Sequence, residues 1–188
     1  MMLHQNIKEK TTASHQQLEK IVVHQLKAVR SNADYADVLR NFYAYFSTVE
    51  KTIAPFITPQ VLPDYADRRN SSHIRQDIEA LGGNLDNLPQ ACAPEVTNTL
   101  EALAALYVLE GSIMGGPYIV QMLHKYGVTE GTSFFSGYAE DTGRMWSAFT
   151  SVLNQFGQDP ETHQKAIAIA NETFANFGNV FTAVPAER

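Results

Sequence analysis

The chain has 188 residues, 14 basic and 20 acidic side chains for a net charge of −6, and 44% hydrophobic residues. That length and content suit one globular domain with a substantial core and argue against a disordered chain, while the acidic balance removes the general electrostatic footprint expected of a DNA- or RNA-binding protein. The single cysteine, Cys92, excludes an intramolecular disulfide framework and points to a reducing compartment, so the expected location is the cytoplasm.

The N-terminus, MMLHQNIKEKTT, is polar and charged, and no stretch reaches about 18 consecutive apolar residues, so neither a secretory leader nor a membrane span is expected. Leu3, Ile7, Leu18, Ile21, Val22, Leu26 and Val29 recur at helical intervals, which predicts one long amphipathic helix over 3–29. Ser31-Asn32 interrupts it, and Asp34 suits the N-cap of a second helix over 35–56, bounded by Pro55 and Pro59. Its aromatics Phe42, Tyr43, Tyr45 and Phe46 read as core.

Beyond the link ITPQVLPD, a polar helix over 65–81 is predicted to stop at Gly82-Gly83, which favour a left-handed C-terminal turn. Pro94 suits the first turn of a fourth helix, whose stripe Val96, Leu100, Leu103, Leu106 and Leu109 runs into GSIMGGPYIVQMLHKYGV. Helical stretches over 138–156 and 160–181 complete the chain, with no alternating strand pattern. The expected fold class is all-α, a compact multi-helix bundle forming a single domain over 1–188, with a monomer as the default state.

On the first helix, Lys8, Thr11, His15, Leu18, Glu19 and Val22 share one strip, because residues three, four and seven apart fall on the same face. A neutral imidazole there offers one nitrogen to a metal, while Glu19, one turn on, accepts the proton of the other and fixes the tautomer. Alone, a helical His with Glu at i+4 reads more simply as a boundary hydrogen bond. Lys8 alone reads as a solvated side chain. Its position two turns before His15 would also let it meet the carboxylates of a ligand held there.

The second feature is the interrupted central helix. Gly111, Gly115 and Gly116, followed by Pro117, burden it with about 6 kcal/mol of unfavourable propensity, at about 1 kcal/mol per Gly and about 3 for Pro. Three readings account for it: a turn between helices, close helix contact through Gly111 and Gly115, or backbone laid against a flat ligand. The apolar Ile113 and Met114, and Pro117 placed to restart a helix, weaken the first. Only the third connects this segment with His15, because a planar cofactor held on one side needs a surface free of side chains on the other.

Three segments in this order, IKEKTTASHQQLEK, YVLEGSIMGG and FFSGYAEDTGRMWSAF, resemble the bacterial biliverdin-producing heme oxygenases. The resemblance implies a helical fold with a kinked Gly-rich distal helix, clamping heme b as both substrate and prosthetic group. By position His15 matches the proximal iron ligand, and Glu19 its hydrogen-bond partner. Lys8 matches a basic residue facing the heme propionates, and Gly111, Gly115 and Gly116 match the distal glycines.

One departure is Ser112, which stands where animal members carry an Asp that anchors the waters delivering protons. A hydroxyl holds water but is not an acid. Tyr107 and Arg144 are further candidates for the heme site, Arg144 for pairing with a propionate.

The implied reaction is O2- and reductant-dependent cleavage of heme to biliverdin, CO and ferrous iron. The implied electron donor is a ferredoxin or a flavoprotein reductase, and a phytochrome is a candidate biliverdin acceptor. Two other readings stay open. A heme carrier or sensor that does not turn over is motivated by Ser112. A non-heme member of the fold is disfavoured, because no His lies three residues after a Glu, and Cys92 sits in the Pro-bounded PQACAPE without a nearby His. His4, His24, His73, His124 and His163 read as solvent-facing, and Trp146 as a packing anchor.

Overall fold

Two adjacent threonines divide the first helix. In the structure, a computed structural model describing residues 1–182, α1 spans Leu3–Lys10 and α2 spans Thr12–Lys27. The Thr11 hydroxyl donates to the Ile7 carbonyl at 2.8 Å and the Thr12 hydroxyl to the Lys8 carbonyl at 2.9 Å. Such back-bonding accompanies the break here, although the same bond at Thr48 leaves its helix continuous. Thr11 leaves helical geometry, at φ −108 and ψ 5, although backbone bonds from Thr11 to Ile7 and from His15 to Thr11 carry the chain across the bend.

Helix α3, Asn32–Ile53, is capped by Ser31 rather than Asp34. The Ser31 hydroxyl accepts the Asp34 N–H at 3.1 Å, and Asp34, inside the first turn, accepts the Arg30 N–H. A carboxylate there also complements the positive end of the helix. The next expected helix begins late. Residues Tyr65–Asp67 form a 3-10 turn, Arg68 turns inward, and α4 covers Ser71–Ala80 with Asn70 as cap. It closes at Gly82, φ +78, with the Gly82 and Gly83 N–H groups bonded back to the Glu79 and Ile78 carbonyls.

Pro94 lies in an irregular segment. The fourth helix, α5, starts at Thr99, because Asn98 accepts the Glu101 N–H while the Glu101 carboxylate accepts the Thr97 N–H. It runs to Met114, and every residue from 101 to 110 is buried. Such a helix belongs at the centre, and α5 packs against α3, α7 and α8. Gly115 ends it, and α6, Gly116–Lys125, leaves at an angle of 41°. The interruption is therefore at Gly115, while Gly111 stays helical.

A second 3-10 turn, Ala139–Asp141, precedes α7, Thr142–Phe156, and α8 covers Pro160–Thr182. No strand occurs among the described residues, and residues 183–188 of the expected single domain lie outside them. Phe42, Tyr45 and Phe46 are buried, as read from sequence, with Tyr45 stacked on Phe177 at 4.6 Å and its hydroxyl donating to the Thr173 carbonyl. His163 is buried rather than solvent-facing, because the ring has two partners inside: Nε2 donates to the Gly157 carbonyl at 2.8 Å and Nδ1 accepts from Asn6. Among the described residues no single helix is long and apolar enough to cross a membrane; α5 and α6 together reach that length but are bent.

Candidate functional site

The bend at Thr11 and the bend at Gly115 face one another across a cleft of about 670 Å³, within the range of small-molecule sites. Lys8, Thr11, His15 and Glu19 line one wall, and Tyr107, Gly111, Ser112 and Gly115 the other. The aromatic rings of Phe42, Trp146, Phe174 and Phe177 border it, so most of its surface is apolar.

His15 stands one turn beyond Thr11 and opens on to the cleft. Its ring meets Phe174 of α8 edge-on, centroids 5.6 Å apart at 75°, which orients the imidazole without using either nitrogen. Neither ring nitrogen has a hydrogen-bond partner among the described residues. The expected bond to Glu19 is not formed. Both side chains are exposed in the cleft, where such a bond contributes little net stability. Lys8 lies exposed on the cleft lining, on the strip predicted for it.

The glycines of the opposite wall do different things. A Cβ on Gly111 would stand 3.8 Å from Trp146, and one on Gly115 3.8 Å from the Ser112 carbonyl oxygen, both ordinary contacts. Packing within the protein does not require glycine at either position, and both line the cleft. Gly116 is the reverse. A Cβ there would lie 2.0 Å from the Phe135 carbonyl oxygen, and Gly116 does not line the cleft. Sequence grouped it with the distal surface; its glycine is needed because the loop carrying Phe135 presses on the start of α6.

Ser112 lines the cleft, but its hydroxyl donates to the Val108 carbonyl at 2.9 Å, which commits its proton and leaves its lone pairs. Tyr107, one turn before Gly111, packs its ring against Trp146 at 5.2 Å. Burial pushes its phenol pKa up, which keeps the hydroxyl protonated. Arg144 does not line the cleft. It sits in the first turn of α7, exposed, with its Nε donating to Asp141 at 2.9 Å. Two positions on, about 200° around the helix, Trp146 takes the inward face instead and lines the cleft.

Sequence reasoning missed a buried ion pair behind the distal wall. Arg68, 1% exposed, donates to Glu110 at 2.7 Å, to both oxygens of Asp64 at 2.9 Å and to the Met145 carbonyl at 3.1 Å. Burial pushes the Glu110 carboxyl pKa up, and the guanidinium beside it opposes that rise. A glutamate inside the apolar run YVLEG was the one signal of this pair; its partner is 42 residues away.

No group of three or more His, Cys, Asp or Glu that could hold a bare metal ion occurs among the described residues. His15 is a single unpartnered donor facing a largely apolar cleft. Such a donor set suits a metal already held by a planar macrocycle.

The family model described as heme oxygenase matches residues 1–183. A heme oxygenase of Xanthomonas campestris pv. campestris is 30% identical over 151 residues, covering 79% of this chain and 89% of that relative. Among solved structures, the NO- and CO-bound heme oxygenase of Neisseria meningitidis superimposes with a TM-score of 0.78 at 22% identity, over 100% of this chain and 96% of that one. Heme oxygenase-1 of the cyanobacterium Synechocystis sp. PCC6803, in complex with heme, gives 0.71 at 20% identity, over 97% and 91%.

Proposed function

The chain belongs to the heme oxygenase family, and we propose that it cleaves heme b to biliverdin, CO and ferrous iron in the cleft between His15 and the Gly111–Gly115 face. The observation that carries this reading is the pairing of an unpartnered imidazole with two glycines that packing does not require. Heme, as substrate and prosthetic group, supplies the iron that takes up O2 and the ring carbon that is oxidised.

The protein's residues then have separable tasks. His15 would hold the iron, its ring angle set by Phe174. Glu19, one turn away, would accept the proton of its second nitrogen. Lys8 offers a cation to a propionate at the cleft edge. Gly111 and Gly115 let backbone approach the ring, and the apolar border excludes bulk water.

On the distal side Ser112 accepts a hydrogen bond from water through its free lone pairs, and Tyr107 offers a protonated hydroxyl. Proton delivery in this reading runs through ordered water held by these two hydroxyls and by backbone carbonyls at the bend. Electrons come from a ferredoxin or a flavoprotein reductase, biliverdin passes to an acceptor such as a phytochrome, and the protein works as a cytoplasmic monomer. The lone Cys92 supports the reducing compartment.

A hemin titration followed by addition of reductant in air tests the reading. A Soret shift that disappears in His15→Ala, followed by growth of biliverdin absorbance in the parent protein, is the expected result. Absence of the shift overturns heme binding. A lasting ferrous-oxy spectrum without biliverdin overturns the oxygenase in favour of a carrier, the reading that the committed hydroxyl of Ser112 favours.

A further inference from the structure

Arg68 hydrogen-bonds to no residue that lines the cleft, yet it is buried and makes four hydrogen bonds to three partners. Its Nη1 donates to Glu110 of α5, its Nη2 to the Met145 carbonyl of α7, and its Nε and Nη2 to Asp64 before the 3-10 turn, while Phe149 covers the guanidinium face at 5.8 Å. Replacing a buried ion pair by apolar residues of similar volume is commonly neutral or stabilising. Stability alone therefore gives no reason to keep one here.

Location gives a reason. Glu110 immediately precedes Gly111, and Met145 immediately precedes Trp146. Gly111 and Trp146 are the residues that meet across the α5–α7 seam, 3.8 Å from the site of a Gly111 Cβ to the indole, and both line the cleft. One guanidinium thus fixes two helices at the positions just before their contact on the distal wall. A planar fork with several donors in fixed directions is suited to holding two elements at a set separation, and a flexible ammonium is not.

We propose that Arg68, acting through Glu110 and the Met145 carbonyl, is a positioning residue that sets the Gly111–Trp146 wall, and through it the in-plane seating of heme and the ring carbon attacked. The inference rests on the function proposed above for the cleft. It assigns no proton or electron to Arg68.

Trp146 is the only tryptophan in the chain, so its fluorescence reports on this wall without heme. Two variants make the test: Arg68→Lys, which keeps the charge but loses the fork, and the double Arg68→Met/Glu110→Leu, which removes both charges and keeps the volume apolar. Arg75→Met, which breaks the exposed pair with Glu79, is the control.

At low temperature, with far-UV circular dichroism showing each protein folded, acrylamide quenching of Trp146 is expected to rise about twofold or more in both test variants, as a wall loosened by the order of 1 Å would allow. Under turnover the ratio of biliverdin isomers is expected to change, while Arg75→Met matches the parent in both measurements. Parental quenching and a parental isomer ratio in folded Arg68→Lys overturn the proposal, whether or not the double variant folds. Failure of the parent to turn over would instead count against the oxygenase reading and leaves the Trp146 measurement intact as the test.

Discussion

Replacing Gly116 and Gly115 separately by alanine should have opposite effects on stability, although the two are adjacent. At Gly116 a methyl group would lie 2.0 Å from the Phe135 carbonyl oxygen and 2.8 Å from its carbonyl carbon, both backbone atoms that no rotamer change moves away. The loop they belong to is pinned: Asp77 accepts the Ser133 N–H and hydroxyl on one oxygen and the Phe134 N–H on the other, at 2.7–3.1 Å. The Phe135 ring is itself buried, edge-on to Phe42 at 5.1 Å. Relief requires α6 or the loop to shift. Overpacking costs about 1–3 kcal/mol, and a backbone contact this close belongs at the upper end, outweighing the gain of about 1 kcal/mol in helix propensity. At Gly115, φ −82 suits any residue and the nearest atom is 3.8 Å away, so alanine should stabilise by about 0.4–1 kcal/mol. At about 2–4 °C per kcal/mol for a chain of this size, the apo protein should melt about 4–8 °C lower for Gly116→Ala and about 1–4 °C higher for Gly115→Ala. Thermal melts followed by circular dichroism measure both, and hemin titration should show weakened binding only in the more stable variant, whose methyl enters the cleft. A Gly116→Ala protein melting with the parent, or a Gly115→Ala protein melting below it, refutes the division of labour between these glycines.

Three further outcomes follow from the geometry. Lys8→Ala should weaken hemin binding by at most about fivefold, an exposed ion pair being worth up to about 1 kcal/mol, and the difference should shrink as salt rises; a loss independent of salt would remove the propionate role. His163→Ala should cost about 1–3 kcal/mol in urea unfolding, because it strands the Gly157 carbonyl and the Asn6 amide, and an unchanged midpoint would mean those groups are hydrated. Burial raises the Glu50 carboxyl pKa above its ordinary value of 4.5, against the opposing hydrogen bonds from Ser71, so the native state holds that proton more tightly than the unfolded chain. The resulting stability is present below about pH 4.5 and is lost as pH rises through the folded value; Glu50→Gln should flatten melting temperature against pH across that window, and parallel curves for the two proteins would refute the assignment.

What could be read from the sequence depended on whether the deciding interaction was local. Helices α3 and α8 followed from apolar spacing because their boundaries lie at nearby cap-forming residues and prolines. Apolar periodicity ran straight through Thr11, since a hydroxyl folding back on its own helix leaves the spacing of leucines and isoleucines untouched. Ser31 and Asp34 are equally good caps by type, and geometry chose between them. The start of α5 was legible in the spacing of Asn98 and Glu101, but Pro94 was the more conspicuous signal. Within the site, His15, Lys8 and Glu19 fell on their strip because a helix face needs only counting. Arg144 lies off the cleft because the inward face of α7 is taken by Met145, Trp146, Phe149 and Leu153, and its guanidinium finds Asp141 in the turn before. Gly116 could not be separated from Gly115 without knowing where the loop around Phe135 docks, and the partner of Glu110 comes from another part of the chain.

The edge contact between His15 and Phe174 joins α2 to α8, which are far apart in sequence. With synthesis proceeding at about 5–20 residues per second, a growing chain displays the imidazole for several seconds before the helix that orients it has been made. Until α8 docks on α2 and α5, the proximal wall lacks its aromatic backing. A ribosome-bound fragment that ends before α8 therefore carries His15 without Phe174 and Phe177, and the cleft acquires its full aromatic border only once α8 has been translated.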